Sequence, residues 1–226
     1  MPREARTGGA EPGDGPEILD RLRSVSRETR DRLARYVALL RQWQVAKNLV
    51  GPGTLDAVWR RHVLDSIGAL DAAPQARRWV DLGSGAGFPG MVTAILLADA
   101  PGAVVHLVEA NGRKAAFLRA AARETGASAV IHDGRIEDVV AEIAGPIDAV
   151  SARALAPLDR LLELAAPLLT AGAVGVFHKG RDLAREVEDA RDRWSFDLVE
   201  LPSRSDPSGR IAVVSRVAPL GRPPRA

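Results

Sequence analysis

The sequence predicts an α/β fold whose sheet is seven-stranded and mostly parallel, with the last strand antiparallel. From about residue 77 onward, short apolar runs alternate with amphipathic segments, as strands and helices do in α/β proteins. The apolar runs are nearly continuous, as expected for parallel strands that are covered on both faces. No helical segment separates the last two runs, and so short a connection indicates antiparallel strands, because parallel crossovers need roughly a dozen residues.

A helical segment is predicted before the sheet. From Glu17 to about Ala46, apolar residues recur mostly at three- and four-residue spacing. The stretch "NLVGPGT" (48–54) interrupts this pattern, and Thr54 is expected to cap a second helix that ends at "DAAPQA". The leader is rich in Gly, Pro and charge, which predicts disorder. The chain thus divides into a leader (1–16), an N-terminal helical segment (17–76) and a sheet domain (77–226).

Seven strands and five helices are predicted within the sheet domain. The strands are Trp79–Leu82, Ala103–Ala110, Ser128–His132, Ile147–Ala152, Ala173–His178, "FDLVEL" (196–201) and "RIAVVSRV" (210–217). The intervening helices are 89–98, 112–126, 136–143, Pro157–Leu169 and Arg181 to about Arg193. A mostly parallel sheet that ends in a hairpin is typical of Rossmann-like methyltransferases.

Composition narrows the possible functions. The chain has 0 Cys, which excludes disulfides, thiolate metal sites and a cysteine nucleophile. Its four histidines show no metal-ligand spacing, so no metal is expected. No apolar run is long enough to span a bilayer, so we expect a cytoplasmic protein without a membrane partner. No unexplained apolar stripe suggests a dimer, and a monomer is expected.

Net charge is only +2, but basic residues are concentrated in two segments. Residues 202–226 contain five arginines and one acid, and residues 36–78 contain six basic residues and three acids. Both segments could face the phosphates of a nucleic acid. On composition alone, a solvated surface or a loose basic tail is the favoured explanation.

The stretch "DLGSGAGFPG" (Asp81–Gly90) is predicted to be a ligand-binding loop between a strand and a helix. Its last six residues satisfy the G-x-G-x-x-G pattern of dinucleotide sites. The loop glycines, which include Gly83 and Gly85, allow a tight turn and a close approach of backbone to ligand. Four glycines in eight residues make a plain turn the weaker interpretation.

Two acidic residues discriminate between ligands for this loop. Glu109 ends the next strand, 19 residues after Gly90, where a ribose-binding acid is expected, and it suits a nicotinamide cofactor and S-adenosylmethionine (SAM) equally. Asp81 lies two residues before Gly83, where its charge would repel a pyrophosphate. SAM has no phosphate and carries a sulfonium and an ammonium group, so Asp81 favours SAM. Alternatively, Asp81 caps backbone amides of the loop, which is compatible with either ligand.

Missing motifs restrict the methyl acceptor. Methylation of pyrimidine carbon 5 generally needs a cysteine nucleophile, and exocyclic amine methylation typically uses an Asn- or Asp-Pro-Pro-aromatic loop after the fourth strand. The chain has no cysteine, and "SARALAPL" follows its fourth strand instead. Guanine N7 has a free lone pair and no proton, so alignment with the methyl–sulfur bond would suffice.

Several ordered motifs resemble the RsmG (GidB) family, which methylates a guanine N7 of bacterial 16S rRNA. The motifs are "NLVGPGTLDAVWRRHVLDSI", "VDLGSGAGFPG", "LVEANGRKAAFLRAAARETG", "DGRIEDV", "SARALAPLDRLLELAAPLL" and "FHKG". The resemblance covers roughly residue 17 to the end and implies a SAM-dependent methyltransferase domain at 77–226. It also implies 16S rRNA, or an assembly intermediate of the small subunit, as the partner.

The resemblance also implies site residues. Gly83 and Phe88 match loop positions that contact SAM, although some relatives have Leu in place of Phe88. Ile136 and Glu137 match the pair that borders the adenine. Arg153 matches an arginine near the methyl-transfer pocket, and it is counted with both the cofactor-binding and the catalytic residues.

Arg135 and Lys179 match basic positions on the same side of that pocket, where they would contact phosphate or the target base, and both are counted with the catalytic residues. His178 precedes Lys179 where relatives usually have an apolar residue. Arg153 could instead pair with Asp159 or Glu163 at the surface. We favour the site interpretation, because Arg153 follows a central strand, where open α/β sheets bind ligands.

Other residues have structural alternatives that stay open. Arg135 could equally interact locally, with Glu137 or Asp138. His62 and Asp65 are three residues apart on a predicted helix and could simply pair with each other. Trp43 and Trp59 are expected in the core.

Two other functions remain possible from the residues alone. The glycine pattern also fits an NAD-dependent oxidoreductase. A noncatalytic RNA-binding protein that retains a relic cofactor loop is the third possibility.

Overall fold

The computed structural model describes residues 13–21, 25–47, 49 and 55–221. Most of the predicted leader and the expected cap at Thr54 lie outside these residues. Within the part of the chain that is described, no helix is both long enough and apolar enough to cross a membrane.

The helices and strands follow the predicted order closely. The helices are α1 (Arg27–Lys47), α2 (Leu64–Ala72), α3 (Gly90–Leu96), α4 (Gly112–Thr125), α5 (Ile136–Glu142), α6 (Leu158–Leu169) and α7 (Leu183–Arg191). The strands are β1 (Arg78–Leu82), β2 (Val104–Glu109), β3 (Ala129–Asp133), β4 (Ala149–Arg153), β5 (Val174–Lys179), β6 (Trp194–Pro202) and β7 (Arg210–Pro219). Short 3-10 helices occupy Pro16–Arg21 and Leu55–Ala57, and a π-helical turn (Trp59–Val63) leads directly into α2.

The seven strands form one sheet in the order β3-β2-β1-β4-β5-β7-β6. The first five strands pair in parallel, whereas β7 lies between β5 and β6 and is antiparallel to both. This topology confirms the predicted fold class. The carboxyl ends of β1, β2, β4 and β5 lie at the same edge of the sheet, the edge at which open α/β sheets bind ligands.

Two hydrophobic clusters cover the sheet. Helices α5 to α7 contribute to the cluster on one face, and α1 to α4 contribute to the other. Leu40 and Trp59, from the N-terminal segment, belong to the same cluster as Trp79 of β1 and Phe117 of α4. Trp59 is buried and the Trp43 ring lies 5.6 Å from that of Phe117, which confirms both tryptophans as core residues. The N-terminal segment therefore shares a core with the sheet domain.

The start of the chain differs from its prediction. The long helix begins at Arg27, where the Ser26 hydroxyl accepts a hydrogen bond from the Thr29 amide (3.1 Å), as an N-cap does. Asp14 falls in the predicted leader, but its carboxylate accepts hydrogen bonds from the amides of Trp59 (3.0 Å) and Arg60 (2.9 Å). The described residues of the leader are thus attached to the π-helical turn. Disorder of residues 1–12 stays a prediction.

Candidate active site

Two cavities open at the carboxyl edge of the sheet, on either side of the end of β4. The glycine-loop cavity measures about 530 Å³ and is lined by residues that include Gly83, Gly85, Glu109 and Ile136. The arginine cavity measures about 420 Å³, and Arg61, Asp65, Arg153 and Lys179 are among its lining residues. Ala154 lines both. The two cavities are therefore neighbours, separated by the segment that follows β4.

The backbone of the glycine loop forms one wall of the glycine-loop cavity. Gly83 has a φ of +63°, a conformation that residues with a Cβ rarely adopt. A Cβ at this position would also lie 2.8 Å from Cδ1 of Leu155. A bare backbone at Gly83 therefore allows both the turn and the close approach of Leu155.

Glu109 joins the end of β2 to the glycine loop. Its Oε2 accepts a hydrogen bond from the Gly85 amide (2.8 Å), and its Oε1 accepts one from the Asn111 amide (2.8 Å). Each carboxylate oxygen can accept a further hydrogen bond, so two ribose hydroxyls could still be bound. The predicted ribose-binding role of Glu109 therefore fits this geometry.

Asp81 does not face the cavity, contrary to the prediction from its charge. The side chain is 1% exposed and lies beneath the loop, where its Oδ1 accepts a hydrogen bond from the Ser151 hydroxyl (2.6 Å) of β4. Among the described residues that line either cavity, Asp81 is not found. Burial raises the pKa of Asp81 to about 6. The alternative that this acid supports the loop fits better than direct contact with a cofactor.

Phe88 also lies away from the two cavities as the described residues define them. Its ring stacks on His62 with centroids 4.9 Å apart, and lies 5.5 Å from the ring of Tyr36. The Tyr36 hydroxyl donates a hydrogen bond to the carbonyl oxygen of Ala86 (2.5 Å). Phe88 thus anchors the loop to the N-terminal segment, which explains why it does not point toward the cavity. The sequence did not reveal that Tyr36 supports the glycine loop. The two are about 50 residues apart, and no motif links them.

The residues expected around an adenine do line the glycine-loop cavity. Ile136 and Glu137 contribute to its wall at the start of α5, and so does Arg135, which was predicted instead to contact phosphate or the target base. Glu137 is paired with Arg160, whose Nη2 lies 2.7 Å from Oε1 of the carboxylate. Lys179 lines the other cavity, so the prediction that Arg135 and Lys179 lie on the same side is wrong. They follow β3 and β5, which β2, β1 and β4 separate.

Arg153 ends β4 and lines the arginine cavity. Its Nη2 donates to the Arg61 carbonyl oxygen (3.1 Å), and its Nη1 lies 3.8 Å from Oδ2 of Asp65. Burial lowers the pKa of Arg153, and the negative charge of Asp65 opposes that shift. The alternative pairing with Asp159 or Glu163 is wrong, because these two acids pair with Arg193. Arg153 lines the arginine cavity but does not line the glycine-loop cavity, so its predicted role as a cofactor contact does not fit this geometry.

Asp65 connects four elements around this guanidinium. Its side chain is 7% exposed, and its Oδ1 accepts a hydrogen bond from the hydroxyl of Ser203 (2.6 Å), in the loop between β6 and β7. Its carbonyl oxygen accepts a hydrogen bond from Nε2 of His178 (3.0 Å) on β5. His178 thus fixes the start of α2 against the sheet. Asp65 is a site residue whose role sequence reasoning left open.

The helical spacing suggested that His62 pairs with Asp65, but in the structure the two side chains do not pair. The π-helical turn changes the angle between successive side chains, so residues three apart are no longer neighbours on one face. Instead, His62 faces Phe88, and neither ring nitrogen has a hydrogen-bond partner among the described residues. Burial and the charges of Arg153 and Arg61 lower the pKa of His62 to about 4. His62 is therefore neutral at physiological pH.

Lys179 is held in place in the wall of the arginine cavity. Its side chain is 8% exposed and forms an ion pair with Glu186 of α7. Its Nζ also donates a hydrogen bond to the carbonyl oxygen of Ala156 (2.9 Å). The ammonium charge is thus already compensated, which argues against the predicted contact with phosphate.

A sequence model of the GidB family, described as rRNA small subunit methyltransferase G, matches residues 29–206. The chain belongs to the GidB family. Family members named Ribosomal RNA small subunit methyltransferase G include one from Methylorubrum populi, 54% identical over 199 residues, which span 87% of this chain and 94% of that protein. Another, from Parvibaculum lavamentivorans, is 51% identical over 218 residues, which span 93% and 96%. The resemblance inferred from the motifs is confirmed.

Solved structures with the same fold are more distant from this member of the GidB family. An O-methyltransferase from Bacillus cereus in complex with SAH has a TM-score of 0.57 at 16% identity, covering 88% of this chain and 96% of that chain. The O-methyltransferase TomG from Streptomyces achromogenes, in complex with SAM, has a TM-score of 0.54 at 16% identity, covering 88% and 94%. These likenesses establish the fold.

Proposed function

We propose that this chain transfers a methyl group from SAM to N7 of a guanine in bacterial 16S rRNA. Membership of the GidB family gives the class of enzyme and the small-subunit rRNA. The observation that carries the site assignment is the pair of cavities that meet at Ala154, at the carboxyl edge of the sheet. One cavity suits a nucleoside cofactor and the other suits the acceptor base.

The glycine-loop cavity fits SAM. Gly83 presents bare backbone at the cavity wall, Glu109 retains acceptor capacity for ribose hydroxyls, and Ile136 provides an apolar surface for an adenine. SAM supplies an electrophilic methyl group on its sulfonium sulfur when it is bound. The residues Gly83, Gly85, Glu109, Arg135, Ile136 and Glu137 are the proposed cofactor contacts, and Asp81 and Phe88 support the loop from behind.

The arginine cavity fits a nucleotide of an RNA. Arg61 is exposed at its wall, where a cation would attract phosphate, and Arg153 lies deeper. Guanine N7 would attack the methyl carbon with its own lone pair as the methyl–sulfur bond breaks and its electron pair goes to the sulfur, so no side chain has to remove a proton. The reaction leaves a positive charge on the methylated ring, and the nearby Asp65 carboxylate would stabilise that developing charge. The described residues contain no group of three or more His, Asp and Glu placed to hold a metal ion.

The oxidoreductase alternative is not supported, because the family match covers residues 29–206, which include the whole glycine loop. The third possibility, RNA binding without catalysis, makes a different prediction. It allows SAM to bind but predicts that no methyl group reaches rRNA.

The test is methyl transfer from labelled SAM to 16S rRNA from cells that lack the endogenous modification. Borohydride reduction and aniline cleavage would map N7-methylguanine, with deproteinised rRNA, 30S subunits and assembly intermediates compared as substrates. We expect one cleavage site that depends on SAM and on active protein. Label in another base position, or SAM binding without any transfer, would contradict the proposal. Cytoplasmic location and a monomeric state are further expectations, which fractionation and light scattering would check.

A further inference from the structure

The segment Ala154–Pro157 separates the two cavities, and we refer to it as the partition segment. Ala154 lines both cavities, whereas Leu155 and Ala156 line only the glycine-loop cavity. Ala154 has a φ of +52°, in the left-handed region that is unfavourable for a residue with a Cβ. Such a conformation persists only where surrounding contacts enforce it. The partition segment therefore needs support from outside itself.

Lys179 and Glu186 provide that support together. Lys179 donates to the carbonyl oxygen of Ala156 (2.9 Å), and Oε2 of Glu186 accepts from the backbone amide of Leu158 (2.8 Å). The two side chains form an ion pair with each other. The partition segment is thus held at Ala156 by one donor from β5 and at Leu158, the residue directly after the segment, by one acceptor from α7, and the ion pair connects donor and acceptor.

Burial makes the two members of this pair depend on each other. The side chains of Lys179 and Glu186 are 8% and 20% exposed. An ammonium group this poorly hydrated is costly without a counter-charge, so removal of Glu186 should displace Lys179 toward water. The carbonyl of Ala156 would then lose its donor, and the amide of Leu158 would lose its acceptor. Both anchors of the partition segment would be lost at once.

We infer that Glu186 is a positioning residue for methyl transfer, which acts through Lys179 and the partition segment. The inference rests on the proposed function, because the distance between the acceptor atom and the methyl group depends on the wall between the two cavities. Lys179 then serves the reaction from behind this wall rather than by binding phosphate. An error of about 1 Å in such an alignment can lower a rate by about a hundredfold.

The alternative is that Lys179 contacts RNA directly, and that Glu186 only pairs with the ammonium group while no RNA is bound. The two possibilities predict opposite effects of removing Glu186. If Lys179 binds phosphate, Glu186→Ala releases the ammonium and leaves kcat unchanged or raises it, and the KM for rRNA falls. If Glu186 is a positioning residue, Glu186→Ala lowers kcat although the ammonium has become free.

The test compares Glu186→Ala, Glu186→Gln, Lys179→Met and the double variant with wild type. Glu188→Gln is the matched control, because Glu188 is an exposed acid on the same helix. We expect Glu186→Ala to lower kcat by about tenfold or more, with the Kd for SAM within about threefold of wild type. Glu186→Gln should lose less, since its amide oxygen can still accept from the Leu158 amide. The double variant should be no slower than Lys179→Met, because the two substitutions remove the same support of the partition segment.

Hydrogen exchange gives a readout that does not depend on activity. The Leu158 amide should exchange faster in Glu186→Ala than in wild type and Glu188→Gln, while amides of the central strands stay protected. If Glu186→Ala keeps both the wild-type kcat and the wild-type exchange at Leu158, the inference is wrong. If kcat is unchanged and the KM for rRNA falls, direct binding by Lys179 replaces it. Failure of wild type itself to methylate rRNA would instead refute the proposed function.

Discussion

A Cβ on residue 90 would stand 2.5 Å from Oδ2 of Asp81, so α3 can begin this close to β1 only because residue 90 is glycine. The "FPG" end of the loop therefore has a packing reason that its resemblance to a dinucleotide motif did not suggest. The glycine needed here accommodates a buried acid of the protein itself.

Gly90→Ala is expected to destabilise the fold by about 1 to 3 kcal/mol and to weaken SAM binding, because either Asp81 or the start of α3 must move. Gly112→Ala is the matched control. Gly112 is also the first residue of a helix, and a Cβ there would meet only ordinary contacts, the nearest being Asp133 at 3.7 Å. Denaturant unfolding and calorimetry with SAM would measure both effects. Equal stabilities for the two variants would contradict the close approach seen here.

Asp81→Asn should change how stability depends on pH. Burial raises the pKa of Asp81 to about 6, above the value near 3.9 of an unfolded chain. The ionised carboxylate therefore costs stability above pH 6, and this cost disappears as the pH falls toward 4. Relative to wild type, the variant should gain stability on the order of 2 to 3 kcal/mol between pH 4 and pH 7.5. A difference that stays constant over this range would show that Asp81 titrates normally.

His62→Phe should produce the opposite trend. The pKa of His62 is lowered to about 4, so folding favours the neutral ring, and the stability contribution is lost as the pH falls from about 6.5 toward 4. Phenylalanine retains the stacking on Phe88 and removes the titration. The melting temperature of the variant should therefore rise relative to that of wild type as the pH is lowered from 7 to 5. Parallel melting curves at all pH values would contradict a buried, neutral His62.

Arg153→Ala should reduce methyl transfer by about a hundredfold or more, because the Asp65 carboxylate, which is proposed to stabilise the cationic product, would lose the guanidinium that positions it in the acceptor cavity. It should also cost some stability, since Asp65 would keep a buried charge without its partner. Arg193→Ala is the control, because it removes an exposed arginine that pairs with two surface acids. Steady-state kinetics and melting temperatures would be measured on both. A wild-type kcat for Arg153→Ala would contradict a role of Arg153 in methyl transfer.

RNA binding should weaken as salt concentration rises, whereas SAM binding should change little. Arg61→Gln should reduce the slope of log K against log salt by about 0.9 if its side chain neutralises one phosphate. Arg185→Gln, which changes an exposed arginine on α7, is the matched control. Filter binding to a 16S rRNA fragment across a salt series would give the slopes. Identical slopes for wild type and Arg61→Gln would place the RNA elsewhere.

Periodicity and glycine chemistry were sufficient to predict the strands, the closing hairpin and the binding loop. These features depend on neighbours within a few residues, which is the information that a sequence pattern carries. The position of Glu109 beside the loop followed in the same way, because it ends the strand next to β1.

The directions of individual side chains could not be predicted to the same extent. The charge of Asp81 was correctly noticed, but whether it faced the cavity or the helix behind the loop depended on how closely α3 packs. Phe88 turns toward His62 and Tyr36, and Lys179 turns toward Glu186. Each of these contacts joins elements whose relative placement only the folded chain defines. A sequence motif can indicate that such residues are important, but it does not show which residues their side chains contact.

The placement of β7 between β5 and β6 has a consequence for the order in which the site can form during synthesis. The residues that line the glycine-loop cavity span positions 83 to 164, so they have all been made before β5 begins. The arginine cavity also needs the loop from Ser203 to Arg210, which the ribosome delivers later. A growing chain therefore contains every lining residue of the glycine-loop cavity before it contains those of the arginine cavity, while Lys179 and Glu186, which hold the partition segment, are made between the two. The loop from Ser203 to Arg210, which completes the proposed acceptor cavity, is the last part of the site to be made.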